Sequence, residues 1–194
     1  GEGGMALTSS KILYEQMLRL RTHGITRDSE NFSHINKGEI WGFQQVDLGF
    51  NYRMTDIQAA LGLSQLKKLN SFVDLRIKIA KTYDNAFIGT AIEPQLLENT
   101  NKSSYHLYSV RLKSLSATKT QSNVYEALRN KGIGVNLHYI PVYRHPYFIE
   151  IGFSESYCEE AEAYFKEVLS LPIYPSLSIS NQNMIIETLL DILN

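Results

Sequence analysis

The stretch Gly49-Phe-Asn-Tyr-Arg-Met-Thr-Asp-Ile-Gln-Ala-Ala-Leu-Gly-Leu-Ser-Gln-Leu66 decides how the chain is read. Its first part, Gly49 to Met54, places a glycine, an amide and a guanidinium within five residues. Its second part opens at Thr55 and reads as a helix. Thr55 with Gln58 fits a capping box, in which each side chain satisfies a backbone N–H at the helix start. Ala59, Ala60 and Gly62 are small and permit close approach by another element. Ile57, Leu61, Leu63 and Leu66 make the helix so apolar that burial is expected. Two readings of the entrance stay open. Asn51 and Arg53 can contact an anion or a cofactor, or they can be a turn residue and an ordinary ion-pair partner.

Outward from that stretch, the chain of 194 residues carries a formal net charge of −1 and 43% hydrophobic residues. That length allows one or two domains, and that composition can bury a core. The near-neutral balance argues against nucleic acid or an anionic membrane as the main partner, since both need clustered Lys and Arg. The single cysteine, Cys158, has no internal disulfide partner and no neighbouring metal ligands. No apolar run reaches the roughly 18 residues of a membrane helix. These features suggest a soluble, cytoplasmic protein. Gly1-Glu-Gly-Gly4 precedes Met5, which suggests a segment of a longer protein.

The expected elements begin with a short strand at Met5–Thr8 and a helix from Ser10 to His23, ended by Gly24 as its C′ residue. Residues 25–48 read as irregular, with His34 and Trp41 as packing or surface residues. A second long helix, capped by Asn70 or Ser71, runs to Phe87 with an apolar stripe through Phe72, Leu75, Ile79, Tyr83 and Phe87. Residues 89–103 read as a linker. Tyr105–Leu112 alternates as a strand, with His106, Tyr108, Val110 and Leu112 on one face. Thr118 with Gln121 suggests a capped helix to Lys131. A strand at Ile133–Leu137, a helix over 154–169 with Glu155 near its start, an extended piece at Leu171–Pro175 and a helix over 180–193 complete a small α/β or α+β domain.

No GxSxG elbow, P-loop, HExxH or GxGxxG occurs. The polar residues that stand out are His106, His138, Tyr139 and Tyr143. A histidine beside two tyrosines suits a polyhydroxylated ligand, because imidazole and phenol donate and accept hydrogen bonds and aromatic rings pack on sugar C–H surfaces. They can equally be interior packing residues. No nucleophile or general base emerges from the residues alone.

Gly1-Glu-Gly-Gly4, Arg21-Thr-His-Gly24, Gly49-Phe-Asn-Tyr-Arg-Met54, Gln58-Ala-Ala60, Gln65-Leu66, His106-Leu-Tyr108, Gly132-Ile133, His138-Tyr139 and Leu171-Pro172 occur in the order found in the DegT/StrS sugar aminotransferases. The chain resembles that family over essentially its whole length. Ser103–Tyr108 and Val135–Tyr143 are most similar to its pseudaminic acid branch, which aminates a UDP-4-keto-6-deoxy-N-acetyl sugar. The resemblance implies an α/β, fold-type I enzyme dependent on pyridoxal phosphate. Residues 1–72 would be the C-terminal part of the large domain and residues 73–194 the small C-terminal domain. The lysine that forms the Schiff base would lie just upstream of Gly1, leaving no catalytic residue in this chain. Asn51 would reach the cofactor phosphate of the other subunit of a homodimer. Arg53, His106, His138 and Tyr139 would lie near the nucleotide-sugar substrate, with glutamate as amino donor. A perosamine-type or 3-amino-sugar transaminase, or a non-catalytic module with the same fold, are the alternatives.

Overall fold

The computed structural model describes residues 3–32, 42–98, 100–113, 115–154 and 157–193. It divides into two compact units, residues 1–67 and 68–194. His34, Trp41, Glu155, Gly1 and Glu2 lie outside the described residues.

In the first unit, residues 5–8 form no strand, and Met5 and Leu7 are exposed. A strand exists only where a neighbour pairs with its backbone, and these four residues have none among the described residues. Helix α1 spans Lys11–Leu20, with the Ser10 side chain accepting from the Leu13 N–H. It stops short of His23 because His23 (φ 59°) and Gly24 (φ 71°) both turn left-handed. Gly24 therefore closes a turn beyond the helix, its N–H returning to the Arg19 carbonyl at 2.9 Å. The stretch expected to be irregular contains a short antiparallel ribbon, β1 (Ile25–Thr26) against β2 (Gln44–Gln45).

Helix α2, Asp56–Leu66, carries the expected Thr55–Gln58 capping box. The expected burial is wrong for the unit as it stands. Ile57 is 84% exposed, Leu61 53%, Leu63 63% and Leu66 62%, and no α2 residue is buried. The helix is apolar enough to be covered, but no described element of the first unit covers it.

The second unit holds a three-stranded antiparallel sheet in the order β3-β4-β5, with helices packed on it. Helix α3 is Leu69–Ala86; it starts after Lys68 with no side-chain cap, so Asn70 and Ser71 lie inside its first turn. Strand β3, Ile92–Pro94, occupies part of the expected linker. Strand β4 is Tyr108–Leu112. It begins three residues after Tyr105, whose φ of 47° breaks the extended backbone, and His106 consequently lies outside the ladder. Helix α4, Gln121–Asn130, takes its capping box from Thr120 and Asn123 rather than Thr118 and Gln121. Only Asn136 of the expected 133–137 strand pairs, forming a bridge with Ser170. A short helix α5, Pro146–Glu150, follows.

Helix α6 starts at Glu159 and ends at Glu167, where the chain passes directly into strand β5, Val168–Leu171. Those four residues were expected to end a helix and begin an extended piece. All four are buried, and a fully buried run suits a strand with neighbours on both sides better than an amphipathic helix end. Helix α7, Ile179–Leu193, closes the unit and buries Ile185, Ile186, Leu189 and Leu193, as the sequence pattern predicts.

The register sorts the sheet into two faces. Tyr108 pairs with Leu171 and Val110 with Leu169, and their side chains join Ile79, Tyr83, Val124, Leu128, Ile185 and Leu189 in one core. Ser109 pairs with Ser170 and Arg111 with Val168, which puts two hydroxyls side by side on the opposite face. Each large core side chain contributes about 1.5–3 kcal/mol by leaving water. The polar Gln182 is buried among them and its Nε2 donates to the Ile79 carbonyl at 2.8 Å, so its burial is compensated.

Candidate functional site

The candidate residues fall in both units, and each group has its own local scaffold. In the first unit, the loop 46–52 is bound to the end of α1 by backbone hydrogen bonds. Phe50 N–H donates to the Leu20 carbonyl at 2.7 Å, His23 N–H to Phe50 at 2.8 Å and Tyr52 N–H to Arg21 at 2.9 Å. Arg19 Nε donates to Asp47 Oδ2 at 3.0 Å beside them. Two glycines permit this contact. A Cβ on Gly49 would lie 2.1 Å from the Gly24 nitrogen, and a Cβ on Gly24 would lie 1.8 Å from the Asp47 oxygen. No side chain fits at either place.

Asn51 sits in the middle of this loop as a bridge partner of Thr22, so its backbone is held while its side chain is exposed. Arg53 is exposed and forms no ion pair among the described residues. The alternative of an ordinary salt bridge for Arg53 is therefore not realised among the described residues. Phe50 and Tyr52 stack at 4.9 Å on either side of Asn51 in sequence. A held backbone, a free amide and a free guanidinium can present donors to an anionic group.

In the second unit, His106 is exposed and its carbonyl accepts from Arg76 Nη1 at 3.3 Å. The same guanidinium nitrogen donates to the carbonyls of Tyr105 and Ile173, both at 2.9 Å. Arg76 thus pins the turn before β4 to the segment after β5. His138 is half-buried, with Nδ1 2.8 Å from the Ser170 hydroxyl. Ser170 Oγ lies 3.2 Å from Ser109 Oγ. The Tyr139 ring meets the His138 ring edge-on at 4.7 Å and is itself 74% exposed.

Tyr143 plays a different part from the one its position suggests. Its hydroxyl donates to Glu162 Oε1 at 2.9 Å and lies 3.1 Å from the Cys158 carbonyl, and Glu162 also pairs with Arg144. It holds α6 and is not a free ligand donor. Tyr83 and Tyr108 are likewise structural. Burial pushes both hydroxyls well above the ordinary phenol value, and in Tyr108 a bond to Asp84 at 2.6 Å adds to it. They stay protonated and donate, Tyr83 to the Pro172 carbonyl at 3.0 Å.

Two cavities lined by described residues of the second unit contain none of the predicted residues. One is lined by Gln95, Ser103, Tyr105 and Ser109, the other by Gly132, Pro172, Tyr174 and Met184. No group of acidic, histidine or cysteine side chains among the described residues could hold a metal ion. No described helix is long and apolar enough to cross a membrane. Sequence reasoning missed Ser109, Ser170 and Arg76. A visible signal existed for Ser170, a lone hydroxyl in the apolar run Val168-Leu-Ser-Leu171. Its meaning depended on the strand register.

Against known proteins, residues 1–190 match the model of the DegT/DnrJ/EryC1/StrS aminotransferase family. The chain is 35% identical to the spore coat polysaccharide biosynthesis protein SpsC of Bacillus subtilis over 99% of its own length and 50% of that protein's. It is 31% identical to the UDP-4-amino-4,6-dideoxy-N-acetyl-beta-L-altrosamine transaminase of Campylobacter jejuni, over 99% of this chain and 48% of that one. The PMP-form of Spr1654 from Streptococcus pneumoniae superposes with a TM-score of 0.86 at 29% identity, covering 96% of this chain and 46% of that one. The chain thus spans about half the length of the curated relatives it matches.

Proposed function

Because this chain belongs to the DegT/DnrJ/EryC1/StrS aminotransferase family, we propose that it is the C-terminal half of a nucleotide-sugar aminotransferase. The proposed reaction moves the amino group of glutamate to the C4 ketone of a UDP-4-keto-6-deoxy-N-acetyl sugar. The family match over residues 1–190 carries this reading. The likeness to the Campylobacter jejuni transaminase, at 31% identity, supports the substrate class. Residues 1–72 are then the end of the large domain and residues 73–194 the small domain.

When bound, pyridoxal phosphate supplies the electron sink for amino transfer, and the protein supplies orientation and proton movement. The donors present in this chain fit its phosphate. Asn51 offers an amide N–H from a loop whose backbone is fixed to α1, with its side chain exposed. In the proposed homodimer that amide serves the cofactor of the other subunit. The Arg53 guanidinium offers charge to an anionic substrate group such as the diphosphate. His106, His138 and Tyr139 offer hydrogen bonds and an aromatic face to the sugar. On this reading the lysine that would carry the cofactor would lie upstream of Gly1, and the 194-residue chain alone would then turn over nothing.

The test uses the protein extended upstream of Gly1, incubated with pyridoxal phosphate, glutamate and the UDP-4-keto sugar. Amino-sugar formation is expected. Turnover by the 194-residue chain alone would refute the missing-lysine argument. Asn51→Ala should weaken cofactor retention, and mixed dimers with a lysine-dead subunit should show that defect in trans. A defect confined to one subunit would overturn the shared site. A second reading is another nucleotide-sugar aminotransferase of the same family, such as a perosamine-type or 3-amino-sugar enzyme, which the family match supports equally. Turnover of those keto sugars without turnover of the UDP-4-keto-6-deoxy-N-acetyl sugar would select it.

A further inference from the structure

We propose that Ser170 is a positioning residue that holds the neutral His138 ring in one tautomer, so that Nε2–H is the donor offered to the substrate. The proposal rests on the reading of His138 as a substrate contact. Three elements build it. Strand β4 brings Ser109, strand β5 brings Ser170, and the segment after Asn136 brings His138. The Ser109–Ser170 register places both hydroxyls on the sheet face away from the core. Asn136 and Ser170 exchange both backbone hydrogen bonds, at 3.2 Å and 2.8 Å, which fixes the histidine segment beside β5.

Ser170 is 4% exposed, so its single hydroxyl proton must be placed inside the protein. Two acceptors lie in reach, His138 Nδ1 at 2.8 Å and Ser109 Oγ at 3.2 Å. An imidazole nitrogen is a far stronger base than an alcohol oxygen, and it is also the nearer. Ser170 therefore donates to Nδ1, and Ser109 donates to Ser170. The hydroxyl chain runs one way and ends on the ring. With Nδ1 accepting, the neutral ring carries its proton on Nε2. Nε2 has no protein partner among the described residues, and the edge-on Tyr139 ring at 4.7 Å limits ring rotation. A sugar hydroxyl, an acetamido carbonyl or a diphosphate oxygen would accept that proton. Without Ser170 the ring is free to exchange tautomers, and the donor is present only part of the time.

Nitrogen NMR of histidine-labelled complete enzyme, at a pH where the ring is neutral, reads the tautomer directly. The expected result is a single Nε2-protonated form for His138. In Ser170→Ala both tautomers should appear, with Ser109→Ala giving a smaller change in the same direction. Wild-type His138 protonated on Nδ1, or an unchanged tautomer ratio in Ser170→Ala, would overturn the proposal. In kinetics, Ser170→Ala should lower kcat/KM for the keto sugar about tenfold while leaving the glutamate half-reaction alone, and Ser170→Thr should recover most of the loss. If His138→Ala has no kinetic effect while the tautomer behaves as expected, the substrate reading of His138 fails and the hydroxyl chain stands. If His138→Ala impairs the enzyme but Ser170→Ala does not, the positioning role is wrong. Ser109→Ala serves as the second variant should Ser170→Ala fail to fold.

Discussion

The two units of the chain are built from similar proportions of apolar residues and use them in opposite ways. In residues 68–194 the apolar positions of three strands and three helices meet in one continuous core. In residues 1–67 only Gly24, Thr26 and Phe32 are buried among the described residues, while α2 shows Ile57, Leu61, Leu63 and Leu66 to the outside. Local structure forms in both. Capping boxes sit at the start of α2 and of α4 alike. What differs is whether the covering surface belongs to the same unit. Secondary structure follows from nearby residues, whereas a core needs facing elements, and the described residues of the first unit lack them.

The largest test of that difference is separation. Residues 68–194 expressed alone should melt cooperatively by circular dichroism. Residues 1–67 alone should show weak helicity and aggregate, because their apolar face stays open. Cooperative melting of the shorter piece would break the comparison. Next in size is a pair of truncations in the whole chain. Leu189→Ala, in the fully buried core, should cost about 2–5 kcal/mol by denaturant titration. Ile57→Ala, on the open face of α2, should stay within about 0.5 kcal/mol. Equal losses would mean that α2 is covered after all.

The caps sharpen the comparison further. Thr120→Ala should lower the stability of the second unit by about 1 kcal/mol, by removing the acceptor for the Asn123 N–H. Thr55→Ala removes the matching cap of α2 and should leave that transition unmoved. The smallest effect concerns Glu167, which accepts from Lys113 at 2.7 Å and from Arg111 at 2.8 Å. Burial acts to raise its carboxyl, but the two cationic donors outweigh that and hold it below the ordinary value. A lowered folded value stabilises the fold above the unfolded carboxylate range and loses that contribution as the pH falls through the folded value. Glu167→Gln should therefore cost under about 1 kcal/mol at neutral pH and nothing in strong acid. A cost that persists in acid would assign the residue a packing role instead.

Much of this was legible beforehand, where the signal was local. The α2 capping box, the stripe of α3 through Ile79 and Tyr83, and the α7 positions Ile185, Ile186, Leu189 and Leu193 all follow from spacing. The errors occurred where a distant partner decides. The expected helix end at Val168 and Leu169 and the extended piece from Leu171 are in fact one strand, and only pairing with β4 makes it so. Ile92–Pro94 lies among turn residues and becomes a strand only against Val110–Leu112. Tyr105 breaks the alternation that seemed to carry His106 into β4, through a backbone angle that composition does not reveal. The site divides in the same way. Asn51, Arg53, His106, His138 and Tyr139 are expected site residues through the family resemblance, whereas Tyr143, singled out by residue type with a packing role as its alternative, is engaged with Glu162. Ser109 and Arg76 carry no local signal, and the lone hydroxyl of Ser170 gains its meaning only from the strand register.

By itself the sequence determined the family, through ordered motifs from Gly1-Glu-Gly-Gly4 to Leu171-Pro172, and it determined most of the helices, because helical periodicity and caps are written within a few residues. Only the tertiary structure decided that Gly49 must be glycine to lie against Gly24, that the second unit is covered while the first is not, and that Ser170 faces His138. Those outcomes depend on atoms brought together from distant positions by strand register and backbone turns, and neither is encoded at any single position.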